Sequence, residues 1–210
     1  GKEGPHTIAT FVARDGLTNF ILPGSRGSPS ASLERENDSF VGRYAHDVGE
    51  SSSLGVLVTS RSADGYENRV GGIDGILRLS DADEVEFQYL LSRTRYPGAL
   101  FEELGEDAGD LPRGRFSDDT LRVTYDHDTR NWEWWGGWED RGPEFRADLG
   151  FFTRVDAKTA WGGLRRNFWS EETSWYNRIR VQLDGHSRDD HNGELVDDGI
   201  SLGVRMDGAY

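Results

Sequence analysis

The chain has no cysteine among its 210 residues, which excludes disulfides, thiolate metal sites and cysteine nucleophiles together. That absence suits an envelope protein that avoids oxidation and suits chance equally, so it leaves the redox compartment open. Long apolar runs are also missing. The longest cover only a few residues, far short of the roughly 20 that a membrane helix requires. Basic charge is scarce: 24 Lys and Arg stand against 38 Asp and Glu, a net charge of −14. No Lys/Arg cluster interrupts this acidic background, so no nucleic acid is expected as a partner. The first residues, Gly1-Lys2-Glu3-Gly4, hold neither an initiating Met nor a signal-peptide pattern, and the chain is expected to be excised from a longer one.

What the sequence does hold is aromatic. Hydrophobic residues make up 35% against 30% charged, a balance that by itself suggests a very soluble or disordered chain. Seven Trp, seven Tyr and ten Phe argue against disorder, because so much ring surface in patterned segments needs burial. Apolar surface is thinly spread, as a barrel requires: only the outward residue of each pair must be apolar while the lumen stays polar.

The pattern is period two. Val85, Phe87, Tyr89 and Leu91 alternate with Glu84, Glu86, Gln88 and Ser92. Trp175, Ile179, Val181 and Leu183 alternate with Arg178, Arg180, Gln182 and Asp184, and Ile200, Leu202, Val204 and Met206 with Ser201, Arg205 and Asp207. Weaker copies occupy residues 7–14, 40–48, 54–61, 69–79, 120–128, 132–139 and 157–168. About ten strands are predicted in one domain, residues 1–210. Asp15-Gly16, Asp64-Gly65 and Asn192-Gly193 supply tight-turn chemistry and make consecutive strands antiparallel neighbours. Two breaks, 22–37 (Gly/Ser/Pro-rich) and 97–115 (acidic), are too long for tight turns and read as surface loops. They share one end of the sheet only if the strand count between them allows it. Gly75 and Gly185, inside strand patterns, predict a bulge or a close approach.

The polar rows carry Arg, Asp, Glu and Gln, which cannot enter a dry core without a cost of several kcal/mol per unpaired ion. Glu84, Glu86, Gln88, Arg122, Asp126, Arg178, Arg180 and Asp184 are therefore expected to line a wet lumen, with the Arg178 and Arg180 row beside acidic neighbours such as Glu84 and Glu86. Alternation alone fits a soluble antiparallel sheet with one solvated face equally well. Trp132, Trp134, Trp135 and Trp138 lie near strand ends and turns. They suit an interfacial aromatic girdle, a sugar-stacking platform, or ordinary packing.

Several ordered runs resemble one family: Gly1-Lys2-Glu3-Gly4-Pro5, Thr18-Asn19-Phe20, Ser51-Ser52-Ser53-Leu54-Gly55-Val56-Leu57-Val58-Thr59-Ser60-Arg61, Asn68-Arg69-Val70-Gly71-Gly72-Ile73-Asp74-Gly75, and Phe145-Arg146-Ala147-Asp148-Leu149-Gly150-Phe151-Phe152-Thr153-Arg154-Val155-Asp156. That family is a C-terminal outer-membrane β-barrel domain of unknown function, in bacterial proteins whose N-terminal domain is similar to carbohydrate-binding family 9. The resemblance implies a Gram-negative outer membrane, outer-membrane lipid as the surrounding, and a link to glycan through the remaining part of a longer chain. It implies no catalytic residue. The family's barrel is longer than this chain, and Tyr210 after Gly208-Ala209 closes no clean final strand, so these residues are expected to form a barrel or an interior part of one.

Motifs for chemistry are weak. Gly199-Ile200-Ser201-Leu202-Gly203 matches the nucleophile-elbow pattern, yet only seven residues follow Gly203 and none is His. His6, His46, His127, His186 and His191 show no metal spacing, and His186 and His191 flank a turn as solvated residues. The acidic runs 102–110 and 189–198 read as solvated loops. The second fails the EF-hand pattern because Arg188 takes the first ligand position when Gly193 is the turn glycine. Glu84 and Glu86 share a face, but a glycosidase pair also needs a cleft. The expectation is an all-β, antiparallel up-and-down β-barrel or part of one, without catalysis, cofactor or metal. A soluble β carbohydrate-binding module using its Trp-rich strands is the alternative.

Overall fold

The computed structural model of the chain describes residues 1–24, 27–109, 111–170 and 175–208. Asp110, in the first acidic run, and Ala209 and Tyr210, at the doubtful final strand, lie outside them. The elements in order are β1 (Lys2–Glu3), β2 (His6–Asp15), β3 (Thr18–Ile21), β4 (Ser30–Leu33), β5 (Asn37–Val48), β6 (Ser52–Ala63), β7 (Tyr66–Arg78), β8 (Asp83–Arg95), α1 (Gly98–Leu104), a 3-10 turn (Gly105–Ala108), β9 (Arg115–Asp128), β10 (Trp132–Arg141), β11 (Ala157–Trp169), β12 (Tyr176–Asp189) and β13 (Leu195–Gly208). The fold is all-β. β1, β2 and β5 to β13 form one eleven-stranded antiparallel sheet in that order, and β3 pairs with β4 in a separate hairpin. This is an up-and-down sheet that does not close on itself, the architecture of a barrel or part of one. Its ten long strands, β2 and β5 to β13, correspond to the ten alternating segments of the sequence.

Four strands separate the break at 22–37 from that at 97–115, an even number, so both fall at the same end. The connections 16–36, 64–65, 96–114, 142–156 and 190–194 all lie there, opposite the turns 49–51, 79–82 and 129–131, so the three longest connections, 16–36, 96–114 and 142–156, share one end. Gly65 and Gly193 take positive φ (70° and 83°) in the turns their dipeptides predicted. Neither long break is structureless: the first holds the β3–β4 hairpin and the second α1 and the 3-10 turn. No bulge occurs at Gly75 or Gly185, where pairing is continuous; the register shifts instead between Tyr176 and Arg178 and between Arg188 and Asp189. Gly75 marks a close approach, since a Cβ there would stand 2.6 Å from the Phe87 ring.

The long connections fold onto one face of the sheet, here called the inner face. Phe20, Leu22, Tyr66, Tyr96, Leu100, Leu104 and Phe116 form one buried cluster, joining the hairpin and α1 to β7 and β9. Val70, Leu90, Phe145 and Val155 form another beneath the segment 142–156. Polar anchors accompany them. Asn68, fully buried, donates through Nδ2 to Thr94 Oγ1 (2.8 Å) and the Arg146 carbonyl (3.0 Å) and accepts the Asp148 N–H (3.1 Å). Ser92 Oγ accepts the Arg146 N–H, and the Asp118 carboxylate accepts the Glu144 N–H. Gly142 leaves room for that carboxylate: a Cβ there would stand 2.1 Å from Asp118 Oδ1, so a larger residue would push the Asp118 side chain away from the Glu144 N–H. These bonds satisfy groups that would otherwise cost about 1–3 kcal/mol each when buried.

The tightest knot is Asp148, whose carboxylate accepts the Tyr66 hydroxyl at 2.6 Å and the Tyr96 hydroxyl at 3.1 Å. Burial pushes this carboxyl above its ordinary range, while the two phenols, Arg61 and Arg146 pull it back. A raised carboxyl favours the docked segment when protonated, so its contribution is complete below the unfolded value near 4 and is lost as pH rises through the folded one. Protease nicking within 142–156 should accordingly increase as pH rises through that window. Asp148→Asn, which keeps an acceptor and has no charge, should flatten the dependence; Asp148→Ala should make the segment labile at every pH.

Candidate functional site

Pairing places each side chain on a face. Gln88 stands opposite Arg122 and Glu84 opposite Asp126; Asp184 stands opposite Ser201. Glu84, Glu86, Gln88, Arg122, Asp126, Arg178, Arg180 and Asp184 all project from the inner face, the face of buried Leu90, Ser92 and Thr94. Their neighbours differ from expectation in one respect. Arg178 is four strands from Glu84 and Glu86 and pairs with Asp207 at 2.7 Å, across β12 and β13. Glu84 pairs with Arg78 at 2.8 Å. Arg43 and Asp74 form a further inner-face pair at 2.6 Å, over Gly55, where a Cβ would meet the Asp74 carboxylate.

The tryptophan run divides between the faces. Trp132, Trp134 and Trp138 point outward: Trp134 lies flat on His127 (3.5 Å between ring centroids), and the Arg166 guanidinium covers Trp132 at 4.5 Å. Trp135 points inward, where Trp161 joins it. The sequence Trp135-Gly136-Gly137 recurs as Trp161-Gly162-Gly163, and the two copies pair antiparallel, Trp135 with Gly163 and Gly137 with Trp161. Each indole lies over the glycine of the other strand: a Cβ on Gly137 would stand 2.2 Å from Trp161 Cζ2, and one on Gly163 2.3 Å from Trp135 Cζ2. Arg122 faces the Trp161 ring and Arg165 the Trp135 ring, each at 5.2 Å. Sequence reasoning grouped Trp135 with its outward neighbours and did not separate Trp161 from the other tryptophans near strand ends and turns. The repeated Trp-Gly-Gly, with its Trp in the polar register, is the signal that separates them.

A hydrogen-bonded polar row adjoins the indoles. Asn167 Nδ2 and Arg165 both donate to Glu133; Arg165 Nε donates to Gln182 Oε1 (2.8 Å), and Gln182 Nε2 donates to Asp184 (2.8 Å). Trp135, Trp161, Asp184, His186 and Ser201 line a cleft of about 320 Å³. On the same wall Arg43, Asp74, Glu86, Gln88, Arg122 and Thr124 line another of about 380 Å³.

Ser201 lies in the middle of β13 rather than at a strand-to-helix turn, and His186 directs its Nε2 to Asp197 at 3.3 Å. His191 is not simply solvated: its ring sits between Asp156 and Asp140, 2.9 Å from each, tying the 190–194 turn to the end of β10 and to the segment 142–156. Among the described residues no group of three or more His, Cys, Asp or Glu side chains has metal-holding geometry. Comparison with known protein families, curated proteins and solved structures finds no match.

Gly163→Ala should lift the Trp135 indole off the wall and lower stability by about 1–3 kcal/mol, the usual cost of overpacking. Gly136→Ala, whose Cβ would meet only a backbone oxygen at 3.5 Å, should be near neutral. Thermal unfolding with near-UV circular dichroism compares the two.

Proposed function

We propose that the chain is an outer-membrane β-barrel, or a segment of one, in which the outer face meets lipid and the inner face lines a polar lumen. It serves passage, anchoring or display for a glycan-related envelope protein and performs no catalysis of its own. The observation that carries this reading is the asymmetry of the two faces. On β8 the outward side runs from Asp83 to Arg93 with only Val85, Phe87, Tyr89 and Leu91 between them. The ten residue steps from Asp83 to Arg93 span about 33 Å along the strand. At the tilt usual for barrels this is about 25 Å in height, the thickness of the lipid-facing apolar band. β13 presents Ile200, Leu202, Val204 and Met206 outward, with Ile200 84% and Leu202 72% exposed. A soluble monomer does not leave so much contiguous apolar surface in water. The outward Arg166 has a way out, since its guanidinium lies over Trp132 and Phe168 and reaches toward the Asn131 carbonyl at the turn end.

Strands of 10–14 residues suffice to cross a bilayer when tilted. The gathering of the three longest connections, 16–36, 96–114 and 142–156, at one end also suits such barrels. The runs that resemble the barrel domain behind a carbohydrate-binding domain support the envelope location and the glycan link. Lipid cannot accept an unpaired strand edge, so the free edges of β2 and β13 must find partners. These strands run in opposite directions, and an all-antiparallel barrel therefore joins them directly or through an even number of further strands.

The assignment is tested by Val181→Arg, which puts a charge on the outer face at mid-strand and should cost roughly 2–4 kcal/mol, blocking membrane assembly. Arg178→Leu, on the inner face, should assemble with a modest loss of stability. Heat-modifiable gel mobility of the full-length protein reads both. Equal tolerance would refute the lipid-facing assignment and favour the soluble carbohydrate-binding sheet.

A further inference from the structure

We infer that the inner wall at Trp135 and Trp161 is a binding site for a neutral saccharide, held by stacking on the indoles and by hydrogen bonds to the polar row beside them. The inference deepens the proposed function by naming a ligand class for the inner wall, and its test is separable from that of the lipid-facing assignment.

The local construction is specific. A tryptophan on a polar sheet face is normally free to stand away from it, but Gly137 and Gly163 remove the side chains that would hold these two off. The result is a pair of indoles laid flat on a wall of charged residues, with the Arg122 guanidinium 5.2 Å from the Trp161 ring centre and that of Arg165 5.2 Å from the Trp135 ring centre, so a sugar ring would stack beside these guanidiniums or in their place. Reciprocal pairing of the two Trp-Gly-Gly segments sets the rings side by side on neighbouring strands. Rigid aromatics lose little conformational entropy when they bind, which suits them to serve as platforms.

The surroundings select the ligand. Gln182, Asp184, His186 and Ser201 offer both donors and acceptors at the edge of the floor. Asp184 and the nearby Glu133 disfavour an anion, and Arg165 is already bound to Glu133 and Gln182. A purely apolar ligand would strand the polar groups of the cleft. A pyranose matches each requirement: its C–H face lies on an aromatic ring while its equatorial hydroxyls reach outward to planar polar side chains. The cleft, about 320 Å³, is at the small end of ligand sites and suits one ring of a longer glycan. Arg122, over Trp161 and also lining the neighbouring cleft, lies where the next ring of such a chain would pass.

The test is titration calorimetry of the purified full-length protein in detergent with maltohexaose, cellohexaose and xylohexaose. Saturable binding of at least one is expected, weakened tenfold or more by Trp161→Ala and by Trp135→Ala and unchanged by Trp132→Ala on the outer face. Asp184→Asn, which keeps the shape of the cleft, should weaken binding several-fold and stands as the reading if an alanine variant fails to fold. Saturable binding of none of the three sugars would overturn the inference; so would binding that survives both inner-face tryptophan substitutions, or the Asp184 substitution where those fail to fold. A protein that fails to assemble in membranes yet binds sugar through Trp161 would refute the lipid-facing reading and leave this site intact. One that assembles and binds no sugar would refute this site alone.

Discussion

The structure depends on the antiparallel register of its ten long strands, which shifts only near the ends of the β12–β13 pair. Successive residues of a strand point to opposite faces, so pairing passes one parity from strand to strand: Glu86 to Thr124, then Gly137, Trp161, His186 and Gly199. A slip of one residue anywhere along this row would bring Val123 or Val181 inward and Arg122 or Arg180 outward, exchanging apolar and charged faces at once. The cost of that exchange fixes the register more firmly than any single hydrogen bond.

Parity also explains how much of the molecule was legible beforehand. Each alternating segment in the sequence became a strand, and the polar residues picked from β8, β9 and β12 share a face, because period two is a local property that survives in one chain alone. Partners across strands were not legible. Arg178 meets Asp207 rather than Glu84 or Glu86 because neighbours are set by strand order, which a hairpin ladder limits to the adjacent strand. The four tryptophans between 132 and 138 looked like one cluster. Counting their parity divides them, since Trp134 and Trp135 are adjacent in sequence and must therefore oppose each other in space. The hairpin and helix inside the long connections carried only short patterns, four residues per strand and seven in the helix, and these form against the sheet rather than alone.

Glycine does different things on the two faces. On the inner face Gly55, Gly137 and Gly163 lie beneath larger side chains, the Arg43–Asp74 ion pair in the first case and an indole in the others. Gly136 and Gly162, between those positions, project outward. The same residue type thus opens room for a flat floor inside and thins the apolar band outside. The expectation of a bulge or a close approach at Gly75 and Gly185 holds in its second half at Gly75 alone; at Gly185 the ladder is intact and a Cβ would meet only ordinary contacts at 3.7 Å or more.

The inner row changes composition along each strand, and the covering segments supply the reason. Near the loop end it reads Tyr66, Asn68 and Val70 on β7, Leu90, Ser92 and Thr94 on β8, and Phe116 and Thr120 on β9, all buried beneath the connections. Further toward the short turns it reads Asp74, then Gln88 and Glu86, then Arg122, Thr124 and Asp126. Beneath the segments 96–114 and 142–156 the row is mostly uncharged, and the ions found there are bonded: Asp118 accepts the Glu144 N–H and Arg61 donates to Asn37 and to the Asn19 carbonyl, whereas most of the charged row lies further toward the turns. Leu90, under the segment, stands opposite Thr120, which stands opposite Arg141, whereas Trp161 pairs with Gly137, four residues closer to the turns. Those four residues set the indole floor about 13 Å along the strand from the packed end. The folded connections therefore close off one end of the inner wall and leave the charged middle, with its aromatic floor, in contact with water.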